Sequence, residues 1–431
     1  MDVEPKKQGP TQKHPKNKHS QEQAPKKQGL SAFFTYDYQS DLIHYAQMLD
    51  PSYEGALIEY WGIFTAHLIK CFEADRESGN ITKLYDNVRR VLKCVEKDES
   101  KKGITLSGET HGVSIISEMF ALIGSAYHRW TTCDLGTAII IMNKILNETI
   151  NIATIPNYTL PFESVLYRGR TSEKQLDKAD MFHIPFMQAY KIRNQRFSIT
   201  GQPLLYLTDH VFGVLNELDI QTRDEYEKLH VVQYRTNNSF DKIADMTITG
   251  NFEHIDDPNI FRQYFCRFIL SCTCSFPNIR GRDKSYFVEE YVIPQLVTQL
   301  LTNDFRGIRY NTINGYRNDK NNLLPNDYVN YAFFTKQKSN EPVDEELRKN
   351  FIIDGPITVS RLDVYNPSEN YSISKIVDII VSHFGRVKCF NLLLSELENN
   401  EYYRNFKDEK QLLFKDGQYR YIRVESRDAD K

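Results

Sequence analysis

The sequence predicts a mixed α/β protein, of the α+β kind, in which a mostly α-helical segment precedes a sheet-bearing unit. Three observations carry this. Over residues 31–155 apolar residues recur at three- and four-residue intervals, the spacing of amphipathic helices. Near Pro156 the texture changes to short β-type runs alternating with helical ones. Close to the C-terminus a hairpin pattern follows.

The elements follow in order. Residues 1–30 are rich in Lys, Gln and Pro, are nearly free of apolar side chains, and contain "KKQG" twice. Such a segment cannot bury enough surface to offset the entropy of ordering it, so it reads as a disordered tail. Asp50-Pro51 offers a helix entry with proline at the first helical position. Leu57, Tyr60, Trp61, Phe64 and Leu68 then form one apolar face. A second helix is expected over 81–95, with Leu84, Val88, Leu92 and Val95 inward and Arg89 and Lys93 outward. Two more are expected over 112–128 and 134–150.

Beyond Pro156, "SVLYRGR" (164–170) and "PLLYLT" (203–208) read as strands. A helical run ending on Glu217 follows the second. "SYFVEEYVIPQLVTQLL" (285–301) reads as a helix despite Pro294. "GIRYNT" (307–312), "YVNYAFFT" (328–335) and "FIIDGPITV" (351–359) supply further strands. Residues 412–424 read as a hairpin turning at Asp416-Gly417. The organisation is thus a tail (1–30), a helical domain (31–155), a sheet-bearing domain (156–365) and an extension (366–431).

Composition excludes several classes. A net charge of −3 rules out a chain-wide basic field for nucleic acid. Seven lysines against three acids make the tail basic, and a plain solvated tail is favoured there over a nucleic-acid arm. The seven cysteines are odd in number and scattered, with no Cys-x-x-Cys, which argues against a disulfide framework or a zinc site. Cys272 and Cys274 read as buried strand residues. His44, His67, His111 and His128 show no metal-ligand spacing, and no metal is expected. With no apolar leader and no apolar run of membrane length, a cytoplasmic, soluble chain without membrane contact is expected. Dinucleotide loops, Walker loops, nucleophile elbows and zinc-protease motifs are all missing from the sequence. The arginines of "FRGIRYNTINGYRN" read as structural or as part of a phosphate pocket.

A polar set stands at element ends: Arg168 and Arg170 closing one strand, Arg196 before a turn, Tyr206 inside an apolar strand, Glu217 after an apolar run, and Thr312 ending another strand. Singly, each has a plain explanation: a surface arginine, a core aromatic, a solvated or ion-paired glutamate. Together they suit cleavage at the anomeric carbon of a nucleotide. Arginine offers a fork for phosphate, tyrosine a face for a ring, and glutamate a charge for an oxocarbenium-like centre.

"MFHIPFMQAYKIRNQRFSITGQPLLYLTDHVFGVLNEL" (181–218) resembles the RES domain, best known as the toxin of Xre–RES toxin–antitoxin pairs. The similarity extends through "LYRGR", "FVEEYVIPQLVTQLL", "GIRYNT" and "NYAFFTK", covering roughly 156–365. The resemblance implies a fold like that of ADP-ribosyltransferases and cleavage of NAD, as substrate, at the nicotinamide–ribose bond by a phosphorylase or glycohydrolase. Protein ADP-ribosylation is the less favoured activity. A nucleotide- or partner-binding module without turnover is the alternative. By position the resemblance places catalytic roles on Arg196, Tyr206, Glu217 and Thr312, and NAD contacts on Arg168, Arg170 and Tyr206. Thr312 departs from the family's serine: it keeps the hydroxyl but adds a methyl and stiffens χ1. An antitoxin or immunity protein and a second copy of the chain are the implied partners.

Overall fold

The computed structural model describes residues 29–47, 52–93, 104–106, 109–111, 114–220, 222–248, 252, 255–278, 287–312, 328–338, 341–362, 364–369, 371–372, 375–386, 410–415 and 418–423. Residues 1–28 of the expected tail, the Asp50-Pro51 helix entry, Val95, Arg317 and the Asp416-Gly417 turn lie outside them.

The first layer is helical: α1 (Leu30–Phe33), α2 (Tyr36–Gln47), α3 (Tyr53–Glu77), α4 (Lys83–Lys93), α5 (Ser114–Thr131) and α6 (Leu135–Lys144). α3 starts at Ser52, whose side chain accepts the Gly55 amide proton at 3.0 Å. Serine there satisfies one of the amides that a helix start leaves unpaired. Leu57, Tyr60, Phe64 and Leu68 are buried on α3, and Trp61 is half-buried. Asp134 caps α6 through the Thr137 amide, and a π-helical turn (Ile145–Ile150) continues it. A short hairpin of β1 (Ile104–Leu106) and β2 (Glu109–His111) interrupts a region expected to be mostly helical.

The second layer is an eight-stranded sheet. Its strands are β3 (Asn157–Leu160), β4 (Val165–Thr171), β5 (Leu204–Thr208), β6 (Leu229–Thr236), β7 (Phe240–Asp245), β8 (Gly307–Asn311), β9 (Val329–Phe334) and β10 (Phe351–Thr358), in the order β10-β6-β4-β5-β9-β8-β7-β3. Neighbours are antiparallel except β7 and β8. The expected C-terminal hairpin is present as β11 (Lys410–Lys415) and β12 (Gln418–Arg423). The molecule is therefore mixed α and β, of the α+β kind.

The helical layer, α9 (Pro258–Cys274) and α10 (Val292–Leu301) share one hydrophobic core with Leu204, Ile308 and Ala332 of the sheet. Side chains alternate across a strand, so Leu205 and Leu207 of β5 join a different cluster, with Leu166, Tyr234 and Phe333. A third cluster packs α7 (Val211–Glu217), α8 (Arg223–Glu227) and the helix over 375–386 against Tyr167, Leu229 and Val231. Cys272 and Cys274 are buried, but in the helix α9 rather than a strand. Pro294 is the third residue of α10, where an amide has no intrahelical partner to lose, so the helix tolerates it. His183 of "FHIPF" is buried: Nε2 accepts the Asp344 amide proton at 2.9 Å, which leaves the Nδ1 proton for the Ile184 carbonyl at 2.8 Å.

One irregularity organises the site. β4 pairs with β6 along its whole length, but meets β5 at one residue pair, Tyr167 opposite Thr208. Past that pair the two central strands part, and α7 lies across them. Its approach needs two glycines. A Cβ on Gly169 of β4 would come within 2.3 Å of Val214 Cγ1, and one on Gly213 of α7 within 2.2 Å of Thr208 Oγ1. Gly169→Ala should therefore push α7 outward and lower the unfolding free energy by about 1–3 kcal/mol, the scale of overpacking a filled site. Chemical denaturation against wild type reads this directly.

Candidate functional site

The gap between β4 and β5 opens into a cavity of about 420 Å³ lined by residues that include Arg168, Arg196, Tyr206, Glu217 and Asn330. Four of the six residues expected to form a site thus meet in one place. Thr312 is adjacent but does not line the cavity: it is buried, and its hydroxyl donates to Glu217 Oε1 at 3.1 Å. Arg170 lies apart, donating to the Asp180 carbonyl at 2.5 Å.

Glu217 is the last residue of α7, and Asp219, in the left-handed conformation at φ 53°, ends the helix just beyond it. Glu217 Oε1 also accepts from Asn330 Nδ2 at 2.7 Å. Two donors on one oxygen fix the carboxylate in place. Protein surrounds the group on most sides, yet the residue stays exposed through the cavity. Burial raises its pKa above the ordinary value, partly opposed by the bonds from Thr312 and Asn330 and by the charge of Arg196.

Arg196 and Phe197 form the tip of a tight turn closed by Gln195 and Ser198. Phe197 is anchored in the main core, and Gln295 of α10 holds the turn from behind, its Nε2 shared among Asn194 Oδ1, the Gln195 carbonyl and the Ser198 carbonyl. The guanidinium is buried and faces the C-terminal end of α9. It donates to the Cys274 carbonyl at 3.2 Å, the Phe276 carbonyl at 2.7 Å and Asn278 Oδ1 at 3.1 Å. It also lies 4.9 Å from the Tyr291 ring centre. A cation suits the carbonyl-rich end of a helix. Three of about five N–H donors on the arginine fork are thereby engaged by the protein.

Arg168 differs. Its one hydrogen bond is to the Tyr206 carbonyl at 3.4 Å, across the gap between the strands. Among the described residues no carboxylate pairs with it. Burial lowers its pKa, and the neighbouring Arg170 adds to that effect. Arginine stays charged under such pressure, so a cation without an anion faces the cavity. Tyr206 sends its hydroxyl to Ser198 Oγ at 3.3 Å and turns its ring to the cavity, where Tyr167, Tyr291 and Tyr310 add aromatic surface. Burial raises the pKa of Tyr206, which keeps the phenol protonated.

Asn330, Asn216, Gln295 and Arg193 were not anticipated. Asn330 could have been noticed as the polar residue inside an otherwise apolar strand, and Arg193 as a second arginine beside Arg196. Gln295 gives no local signal, since its three acceptors lie about a hundred residues earlier.

No family model matches the chain, and no solved structure does. A similar protein is "Putative toxin YopC" of Bacillus subtilis (strain 168), 29% identical over 234 residues, which are 50% of this chain and 51% of that protein. The chain therefore spans about half the length of the curated relative it matches. Among the described residues no helix is long and apolar enough to cross a membrane.

The raised pKa of Glu217 has a consequence for stability. The folded state holds the proton more tightly than the unfolded chain, so ionisation weakens the fold as pH rises from about 4.3 to the raised value. Glu217→Gln keeps an acceptor for Thr312 and Asn330 and carries no charge. At pH 7 it should melt no lower than wild type. The difference between the two proteins should shrink as pH falls through that window, as read by thermal melts across pH.

Proposed function

We propose that the chain is a toxin-like enzyme that consumes NAD by cleaving the nicotinamide–ribose bond. The observation that carries this is one aromatic cavity holding both a half-buried arginine with no carboxylate partner among the described residues and a carboxylate fixed by two donors. Arg168 supplies the charge for the pyrophosphate. Arg196, with fewer free donors, adds to that field while holding the loop after α9. The tyrosine rings provide faces for the base and the ribose.

In this reaction the bond between the pyridinium nitrogen and the ribose anomeric carbon breaks. Its electron pair leaves with neutral nicotinamide. Glu217 stabilises the positive charge that grows on the ribose, and a water or phosphate oxygen then bonds to that carbon, water losing one proton. Thr312 is a positioning residue, because its hydroxyl acts through Glu217. Threonine keeps the hydroxyl that the serine of the resembled family carries at this position. An RES-like fold, a toxin role and an antitoxin partner belong to the same proposal, supported by the sequence resemblance and by the name of the bacterial relative.

The wild type should release nicotinamide from NAD, and the product formed with and without phosphate should identify the acceptor. Glu217→Gln should lower kcat by about 10²–10³-fold, the usual effect of removing a charge that faces a developing one. Absence of turnover by the wild type, or equal turnover by the variant, would refute the proposal. The working form of Glu217 is ionised, so kcat should fall as pH drops through its raised pKa, above the usual glutamate range.

Two substitutions divide the remaining roles. Thr312→Ser should keep turnover within a few-fold, whereas Thr312→Val should lose about tenfold or more and move the acid limb upward, as expected when a donor to a charged group is removed. Arg168→Met should raise KM far more than it lowers kcat while leaving the melting temperature unchanged or higher, because it removes a half-buried charge that no carboxylate balances. Steady-state kinetics with parallel melts check both.

A further inference from the structure

Two asparagines beside Glu217 carry polar atoms that the protein does not use. Asn330 is 2% exposed, and its Nδ2 is engaged by Glu217, but its Oδ1 has no hydrogen-bond partner. Asn216, 8% exposed and adjacent to Glu217 on α7, has a buried Nδ2 with no partner. Both residues line the cavity. Unpaired buried polar atoms are uncommon in folded proteins and each is costly. Here one is an acceptor and the other a donor, on two residues that line one cavity with Glu217.

That pattern matches a group presenting an N–H donor and a carbonyl acceptor side by side. A primary carboxamide does so. A carboxylate does not: it has no proton for Asn330 Oδ1 and would set two acceptors against each other. The asparagines are buried, whereas Arg193, Gln195, Glu217 and Asp219 of the same lining are exposed. The rings of Tyr206, Tyr291 and Tyr310 line the same space and offer a surface for a flat heterocycle.

We infer that Asn330 and Asn216 form a carboxamide-reading pair that makes the site select the amide form of a pyridine dinucleotide over its acid form. This rests on the reading of the cavity as an NAD site and specifies which part of the ligand lies against Glu217.

The test uses Glu217→Gln, in which turnover is slowed by about 10²–10³-fold so that binding can be read. That variant also lacks the carboxylate that would repel an acid whatever the asparagines do. By calorimetry NAD should bind about 100-fold more tightly than nicotinic acid adenine dinucleotide, the scale set by leaving buried polar groups unmatched. Adding Asn216→Ala should reduce that preference to below about tenfold. Asn216→Ser, closer in polarity, repeats the measurement if the alanine variant melts early. Equal affinity for the two dinucleotides overturns the inference. So does an equal loss of affinity for both on changing Asn216, which would assign the pair to a ribose hydroxyl. Either result leaves the proposed reaction standing, because that is read separately by nicotinamide release from wild type. Failure of both dinucleotides to bind overturns the inference, and absence of nicotinamide release from wild type overturns the proposed reaction with it.

Discussion

The close seating of α7 on the parted strands β4 and β5 is the constraint on which the site depends. Gly169 and Gly213 permit it, since a methyl group at either would run into Val214 or Thr208. Because α7 sits that low, Glu217 at its end reaches Asn330 on β9 and Thr312 just past β8. Because β4 and β5 separate after Tyr167 and Thr208, the space next to that carboxylate is open rather than filled by strand pairing. The same two strands thus create the cavity and set the height of the helix that furnishes its acid.

The two arginines show how one residue type serves two ends. Arg196 is buried among carbonyls at the end of α9, and its engaged donors tie the Arg196 turn to the loop leading to Asn278. Arg168 bridges the strand gap with one long hydrogen bond and otherwise faces the cavity. The proposed pyrophosphate contact therefore falls more heavily on Arg168, although the sequence motif draws attention first to Arg196.

Much of the fold was legible locally. β5 is a short apolar run, α3 shows a clear apolar face, and the C-terminal pair a turn signal. β6 was missed because "LHVVQYRT", buried on both faces, breaks its apolar residues with His230, Gln233 and Arg235 and so shows neither alternation nor an apolar run. α9 was missed because it is buried nearly all round from Phe265 onward. The site divides in a similar way. Arg168, Arg196, Tyr206 and Glu217 came from a motif resemblance. The contacts of Glu217 did not, because Thr312 and Asn330 lie 95 and 113 residues away in sequence. Local pattern cannot reveal that a strand's one polar side chain is aimed at a distant carboxylate.

The cavity collects groups that do little for folding. Unpaired buried atoms occur elsewhere among the described residues, Trp61 Nε1 for example, so no single one marks a site. What sets this place apart is the combination: a cation with no anion, a carboxylate whose pKa is pushed upward, and an unmatched donor and acceptor, all on one cavity. Native stability is typically about 5–15 kcal/mol, and each such group typically costs about 1–3 kcal/mol. A ligand bearing an anion, a ring, a developing positive charge and an amide answers all of them at once. It would stabilise the folded chain by binding only that state. On this argument the cavity is costly when empty and becomes well matched when filled. That fits a site built for a polar, charged ligand better than one filled by hydrophobic packing.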